Sequence, residues 1–247
     1  MRKTSERILA TNCMVLVAHR IDDSFLKYVS FLQQEADGIM DFIILYDCAS
    51  SKIEPSDYPD FVFHLFNSRT LNGFFHNGDK KLPNPLIALL DMIKEKRYEH
   101  YLLMESDVVF TGSFKFFLET INEEDYDYIH VASDRLGHPE AHWPIEMIRD
   151  NPFKRLYFSW CQLFYVSRQF LMDLDTFIKE NDSFYYEFLM PTMAYNRDYT
   201  IRQFENLGLN FQLSWGPAEV FEYKYLYERA RNTFYHPIKD LNIVSYS

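Results

Sequence analysis

The chain has 247 residues, enough for a substantial core, and its 47% hydrophobic and 25% charged residues describe a globular rather than a disordered protein. Its 36 acidic residues against 25 basic ones leave a net charge of −11, which argues against a nucleic-acid partner, because phosphate-backbone binding needs a basic face. No apolar run approaches the ~18 residues of a membrane-spanning helix.

The first segment, "MRKTSERILATNC", is basic but has no apolar stretch of the signal-peptide kind, so no signal peptide is expected. "CMVLVAHR", residues 13–20, is a continuous apolar run of the kind found in a strand covered on both faces. "DDSFLKYVSFLQQEA" follows, with Phe25, Val29 and Leu32 at helical spacing and Asp22 or Asp23 as the N-cap. "DFIILYDCAS", residues 41–50, reads as a second buried strand ending in Asp47, and "FVFHLF", residues 61–66, as a third. "NPLIALLDMIKEKR" opens a helix with Pro85 in its first turn, and "HYLLMES" is the next strand. This alternation predicts an α/β fold with a mostly parallel, Rossmann-type sheet flanked by helices.

The second half is less regular. "YDYIHVAS" and "FSWCQLFYVS" read as strands, and "RQFLMDLDTFIKE" as a helix with Phe170, Leu171, Leu174, Phe177 and Ile178 on one face. "YYEFLMPTMAYNR" is helical with Pro191 disturbing its middle, and "LNFQLSW" is a short strand. The tail, "ARNTFYHPIKDLN", has turn chemistry and no clear period. With no repeat, low-complexity tract or linker, one domain over residues 1–247 is the simplest organisation. The cysteines Cys13, Cys48 and Cys161 are too few and scattered for a disulfide framework or zinc site, so a reducing, cytoplasmic setting is expected. Aromatic residues reach 18% of the chain, a level that suits a sugar-binding cleft but is explained as well by an ordinary core.

The densest chemistry lies in "YLLMESDVVFTGSF", where a buried strand ends abruptly in Glu105-Ser106-Asp107. In open parallel sheets, ligands sit beyond the carboxyl ends of the strands. Alternation sends Glu105 and Asp107 to the same side and Ser106 away. Two carboxylates so close repel each other unless one is protonated or a cation lies between them. Hard oxygen ligands suit Mg²⁺ or Mn²⁺, which would also let an acidic protein handle a phosphorylated ligand. Read without that context, the pair is two solvated acids at a strand end.

This segment resembles the Asp-x-Asp region of GT-A-type glycosyltransferases, with Glu in place of the first Asp, and the strand–helix order resembles that fold too. The resemblance implies that Asp107 binds the metal and that Glu105 meets the metal or the sugar and ribose. It places His19 and Arg20 near the base or phosphates and Asp47 at the base or ribose. "FYHPIK" is similar to the C-terminal segment that supplies a third metal ligand, here His236, with Lys239 reaching the diphosphate. "EFLMPT" resembles the segment carrying a general base, here Glu187, with Asp134 and Glu219 as lesser candidates. Trp160 and Gln162, read on a strand facing the cleft, would stack on a sugar and bond its hydroxyls. Trp143 and Trp215 are loop platforms, and residues 74–85 form a candidate lid. Residues 12–112 would form the nucleotide half and 113–247 the acceptor half.

The implied activity is metal-assisted transfer of a sugar from a UDP- or GDP-linked donor to a hydroxyl of a saccharide acceptor, as in polysaccharide biosynthesis. Two rivals stay open. A nucleotidyltransferase would normally carry a Gly-rich, basic signature near the first strand, and "VLVAHRIDDSF" has no glycine. A glycan- or nucleotide-binding module without turnover is the other.

Overall fold

Four apolar runs of the first half become four adjacent parallel strands: β1 (Asn12–Ala18), β2 (Asp41–Asp47), β3 (Phe63–Phe66) and β4 (His100–Glu105). The computed structural model describes residues 11–49, 51–71, 84–132, 152–180, 186–213, 232–238 and 241. Three strands of the second half, β6 (Tyr128–His130), β7 (Leu163–Ser167) and β8 (Ile201–Gln203), extend the same sheet. The order across its seven strands is β3-β2-β1-β4-β7-β6-β8. Only β7 runs against the rest, so the other six end on one common edge. The mostly parallel α/β fold expected from the sequence is the fold observed.

Each face of the sheet has its own core, as buried parallel strands require. Met14, Leu16, Ile44, Leu102 and Met104 face α1 (Asp23–Ala36) and α3 (Phe114–Asn122). Val15, Ile43, Leu103 and Phe164 face α2 (Asn84–Glu95), α4 (Arg168–Glu180) and α5 (Tyr186–Asn196). All of these strand residues are at most 3% exposed, so each contributes roughly 1.5–3 kcal/mol of burial. Of the two cap candidates for α1, Asp22 takes the role, accepting from the Phe25 N–H at 2.9 Å. Among the described residues, no helix is long and apolar enough to cross a membrane.

A second, small sheet lies over the first core face, with β5 (Val109–Phe110), β9 (Asn210–Leu213) and β10 (Thr233–His236) in the order β5-β10-β9. Its middle ring, Phe234, stacks on Phe110 at 4.3 Å and on Phe211 at 5.3 Å between centroids. Gly112 is required beside this stack. A Cβ there would lie 2.6 Å from the Phe110 ring and 2.7 Å from Asn232 Oδ1. Phe234 comes from the tail that showed no period. A four-residue strand held between two neighbours needs no internal alternation signal, so sequence pattern could not reveal it.

Two other expectations are corrected. Strand β7 begins at Leu163, so Trp160 and Gln162 precede the strand instead of lying on it. Pro191 does not break α5. Proline lacks the N–H that would bond to the Glu187 carbonyl four residues back. The Ser159 N–H takes that place at 2.9 Å, and the Thr192 hydroxyl bonds both the N–H and the carbonyl of Tyr157 at 2.8 and 3.1 Å. The segment before β7 is thus occupied in pairing with α5, which is why it does not continue the strand.

Candidate metal centre

The turn after β4 is held by four separate parts of the chain. The Glu105 N–H donates to the Gln162 carbonyl at 3.0 Å and the Ser106 N–H to Val17 at 2.9 Å. The Asp107 carbonyl accepts from Ile238 at 2.8 Å, and the Val108 carbonyl accepts from the Tyr28 hydroxyl of α1 at 2.6 Å. A bond from the Val108 N–H to the Glu105 carbonyl at 3.0 Å closes the turn. These bonds hold the turn through its backbone without using the two acidic side chains.

Strand β10 brings the third group. It pairs antiparallel with β5, with Tyr235 opposite Val109. One step further along that ladder sets His236 beside the turn, some 130 residues away in sequence but 3.2 Å from Glu105 Oε2 and 3.4 Å from Asp107 Oδ1 through Nε2. One ligand atom from each of Glu105, Asp107 and His236 lies within 4.8 Å of the others. The side chains are 34%, 21% and 12% exposed, a site at the rim of the fold and open to solvent.

Electrostatics supports a cation here. Burial alone would lower the His236 pKa, but hydrogen bonds and charge from Asp107 and Glu105 outweigh it and raise it to about 9. At neutral pH the imidazolium itself is the positive group between the acids. The site fits a divalent ion as well. An octahedral ion with ligands at about 2.1 Å holds adjacent ligand atoms about 3.0 Å apart, close to the two imidazole–carboxylate distances. Two carboxylates and an imidazole are a suitable donor set for such an ion.

A pocket of about 110 Å³ joins this turn to the end of β1, lined by His19, Arg20, Phe25, Ser106, Asp107, Ile238 and Leu241. His19 and Arg20 thus line the same pocket as Asp107. Arg20 is tied to Asp22 at 2.9 Å, with both side chains well exposed. Asp47 lies on the same sheet edge at the end of β2, where its Oδ1 accepts from the Ala49 and Ser68 N–H groups at 2.9 and 3.0 Å. That bond joins the ends of β2 and β3. A larger pocket, about 610 Å³, opens at the opposite sheet edge among Asp41, Lys96 and Tyr98, away from the acidic turn.

Glu187 is 1% exposed in the first turn of α5. The buried Cys161 thiol is pushed up by desolvation and then by the charges of Glu187 and Glu105, so both acids lie near it. Trp160 is partly buried and meets Phe158 edge-on at 5.4 Å. Asp134, Lys239, Trp143, Trp215, Glu219 and residues 74–83 of the candidate lid lie outside the described residues. Sequence reading did not pick out Tyr28, whose hydroxyl secures the acidic turn; it is buried on α1 beside Phe25, Val29 and Leu32, the positions that the helical spacing marks.

No protein-family model matches the chain, and no curated protein matches it in sequence. Solved structures similar to it include the galactosyltransferase LgtC with donor and acceptor sugar analogues, at 12% identity and a TM-score of 0.48 over 94% of this chain and 92% of that one. A glycosyltransferase involved in glycosylation of the major capsid of PBCV-1 shows 12% identity and a TM-score of 0.43 over 93% and 95% of the two chains. The inositol-1-phosphate CTP transferase from T. maritima shows 10% identity and a TM-score of 0.44 over 78% and 84%. Likenesses this distant assign no reaction.

Proposed function

We propose that the chain is a metal-dependent glycosyltransferase that moves a sugar from a nucleoside-diphosphate donor, UDP- or GDP-linked, to a hydroxyl of a saccharide acceptor. The observation that carries this reading is the meeting of Glu105, Asp107 and His236 at the carboxyl edge of a parallel sheet, beside a pocket that His19 and Arg20 line. These three residues would hold Mn²⁺ or Mg²⁺, which when bound offsets the charge on a leaving diphosphate. The net charge of −11 makes such local neutralisation necessary for any phosphorylated ligand. Arg20 supplies a positive charge on the wall of the pocket, with His19 beside it and Asp47 further along the same edge. Lys239 and Asp134 are assigned to the diphosphate and to a secondary base on the sequence resemblance alone. A reducing, cytoplasmic setting is assigned on the small number and scatter of the cysteines in the sequence alone.

Glu187 is the proposed base that accepts the proton of the acceptor hydroxyl in an inverting transfer. Its place in the first turn of α5, where its charge and that of Glu105 both act on the Cys161 thiol, supports this role. Incubation with UDP- and GDP-sugars plus Mn²⁺ tests the reading directly. Release of the free nucleoside diphosphate supports it, whereas pyrophosphate release from a nucleoside triphosphate and a sugar phosphate would identify a nucleotidyltransferase. Binding without release of either would identify a non-catalytic module. Within an active enzyme, Glu187→Gln should lower kcat by about 10²–10⁴ with little change in donor KM. An unchanged kcat would remove Glu187 as the base.

A further inference from the structure

The pocket of about 610 Å³ opens at the amino edge of the sheet, where β2 begins, and its volume falls within the roughly 300–1,000 Å³ of ligand-binding clefts. Asp41 starts β2 and Asp47 ends it, about 20 Å away along an extended strand, so no single sugar unit reaches both this pocket and the acidic edge. Four segments wall the pocket: the second half of α1, the turn into β2, residues 59–62 before β3, and Lys96 and Tyr98 between α2 and β4. Hydrogen bonds tie these walls together. Gln33 of α1 donates through Nε2 to the Asp60 carbonyl at 2.9 Å, and the Tyr98 hydroxyl donates to Asp41 Oδ2 at 2.8 Å. The Tyr101 hydroxyl donates to the Lys96 carbonyl and accepts from the Tyr98 N–H at 3.2 Å, which fixes the last wall. Met40, Phe42 and Ile43, each at most 7% exposed, line the pocket from the core side. The cavity is therefore held open by its own framework, and a ligand need not order it.

The lining decides the class of ligand. Asp37, Asp41 and Asp60 stand against the single ammonium of Lys96, so a phosphate or other anion is repelled. A polyamine would meet Lys96 as a like charge and would leave the amide donors of the pocket without acceptors. The Gln34 amide and the Lys96 ammonium donate, while the carboxylates and the amide oxygens of Gln33 and Gln34 accept. A neutral ligand with many hydroxyls, each both donor and acceptor, uses the whole set. The rings of Phe61 and Tyr98 add aromatic surface for its C–H faces. We propose that this pocket binds a neutral saccharide, held by Gln34, Asp37, Asp60 and Lys96 and separate from the metal centre. The assignment does not depend on the reaction proposed above.

Saturation-transfer NMR and calorimetry on the full chain, with EDTA present, test it against glucose, lactose, maltotetraose, cellotetraose and chitotetraose. Spermidine and inorganic phosphate serve as the charged probes. At least one neutral sugar should bind, and neither charged probe should displace it. Gln34 and Asp37 are exposed, so Gln34→Ala and Asp37→Ala should melt within about 2 °C of the wild type. Each should weaken the sugar about tenfold, the cost of one charged or well-aligned hydrogen bond. Asp107→Asn, altered at the other edge, should bind the sugar as the wild type does. A tetrasaccharide bound more than tenfold tighter than glucose would support a glycan chain as the occupant, and equal affinity a free sugar. The proposal is overturned if no sugar binds with a Kd below about 10 mM, if Gln34→Ala and Asp37→Ala leave binding unchanged, or if spermidine or phosphate takes the place of the sugar. Sugar binding lost in Asp107→Asn but kept in Asp37→Ala would also overturn it, while leaving the metal-centre reading in place.

Discussion

His130 closes β6 and His236 closes β10, and their surroundings hold the two imidazoles in opposite charge states. His130 is fully buried, with Nδ1 donating to the Val131 carbonyl at 2.7 Å and Nε2 facing the Tyr195 hydroxyl at 3.1 Å. Burial lowers its pKa to about 4, against a smaller opposing effect of the Val131 carbonyl, so it is neutral and part of the core. His236 meets two carboxylates and is held cationic. The same residue type at the same kind of position is thus neutral packing in one case and a cation paired with two acids in the other. What separates them is the number of acids within reach, and of the two only the second offers a set of ligand atoms that could hold a metal.

The largest effect should come from taking an acid out of the second arrangement. Asp107→Asn should weaken Mn²⁺ binding by more than the roughly 10- to 100-fold that loss of a supporting partner costs, read by EPR titration. Its melting temperature should stay within a few degrees of the wild type, because the backbone bonds of the turn do not use this side chain. Collapse of the fold instead would make Asp107 a structural acid, and the contrast with His130 would be lost.

pH acts on the two histidines in opposite directions. His236 gains its partners on folding, so its contribution is fully present below pH 6.5 and is lost as pH rises through about 9. His130, neutral when folded, lets the unfolded chain bind a proton first, so stability falls as pH drops from 6.5 toward 4, by roughly 3 kcal/mol at most. His100, also lowered by burial, adds to that acid limb. Metal-free protein should therefore be most stable near neutrality in thermal melts. Mn²⁺ must displace the His236 proton, so its affinity should rise about tenfold per pH unit up to about pH 9. Affinity that does not vary with pH would remove His236 from the ligand set.

The smallest effect sharpens the comparison from the backbone side. Tyr28→Phe removes the hydroxyl that holds the Val108 carbonyl and should weaken Mn²⁺ binding about fivefold, equivalent to ~1 kcal/mol. A change in the Mn²⁺ EPR line shape at saturation should accompany it, which a general loss of stability would not produce. Equal affinity and an identical spectrum would leave Tyr28 as packing only.

Much of the first half was legible in the sequence. Residues 13–18, 42–46 and 101–104 are unbroken apolar runs because their strands are covered on both sides, and such runs are visible without knowledge of any partner. Asp22 and Ser113 cap their helices through contacts three residues away, equally local. The acidic turn was visible for the same reason. The tail was not: Phe234 and Tyr235 are buried by β5 and β9, whose residues lie far away in the chain, so no local period records the strand. Nor could the sequence show that Ser159 would replace the hydrogen bond Pro191 cannot make, which stopped the strand short of Gln162.

The sequence by itself determined the alternating strands and helices, which imply a parallel sheet, and the placing of two acids at a strand end, because each depends on neighbours within a few residues. Tertiary structure alone decided that His236 would stand 3.2 Å from Glu105 and that Tyr28 would secure the turn. The physical reason is that a charge or hydrogen bond acts across space over a few ångströms, whatever the length of chain between the groups.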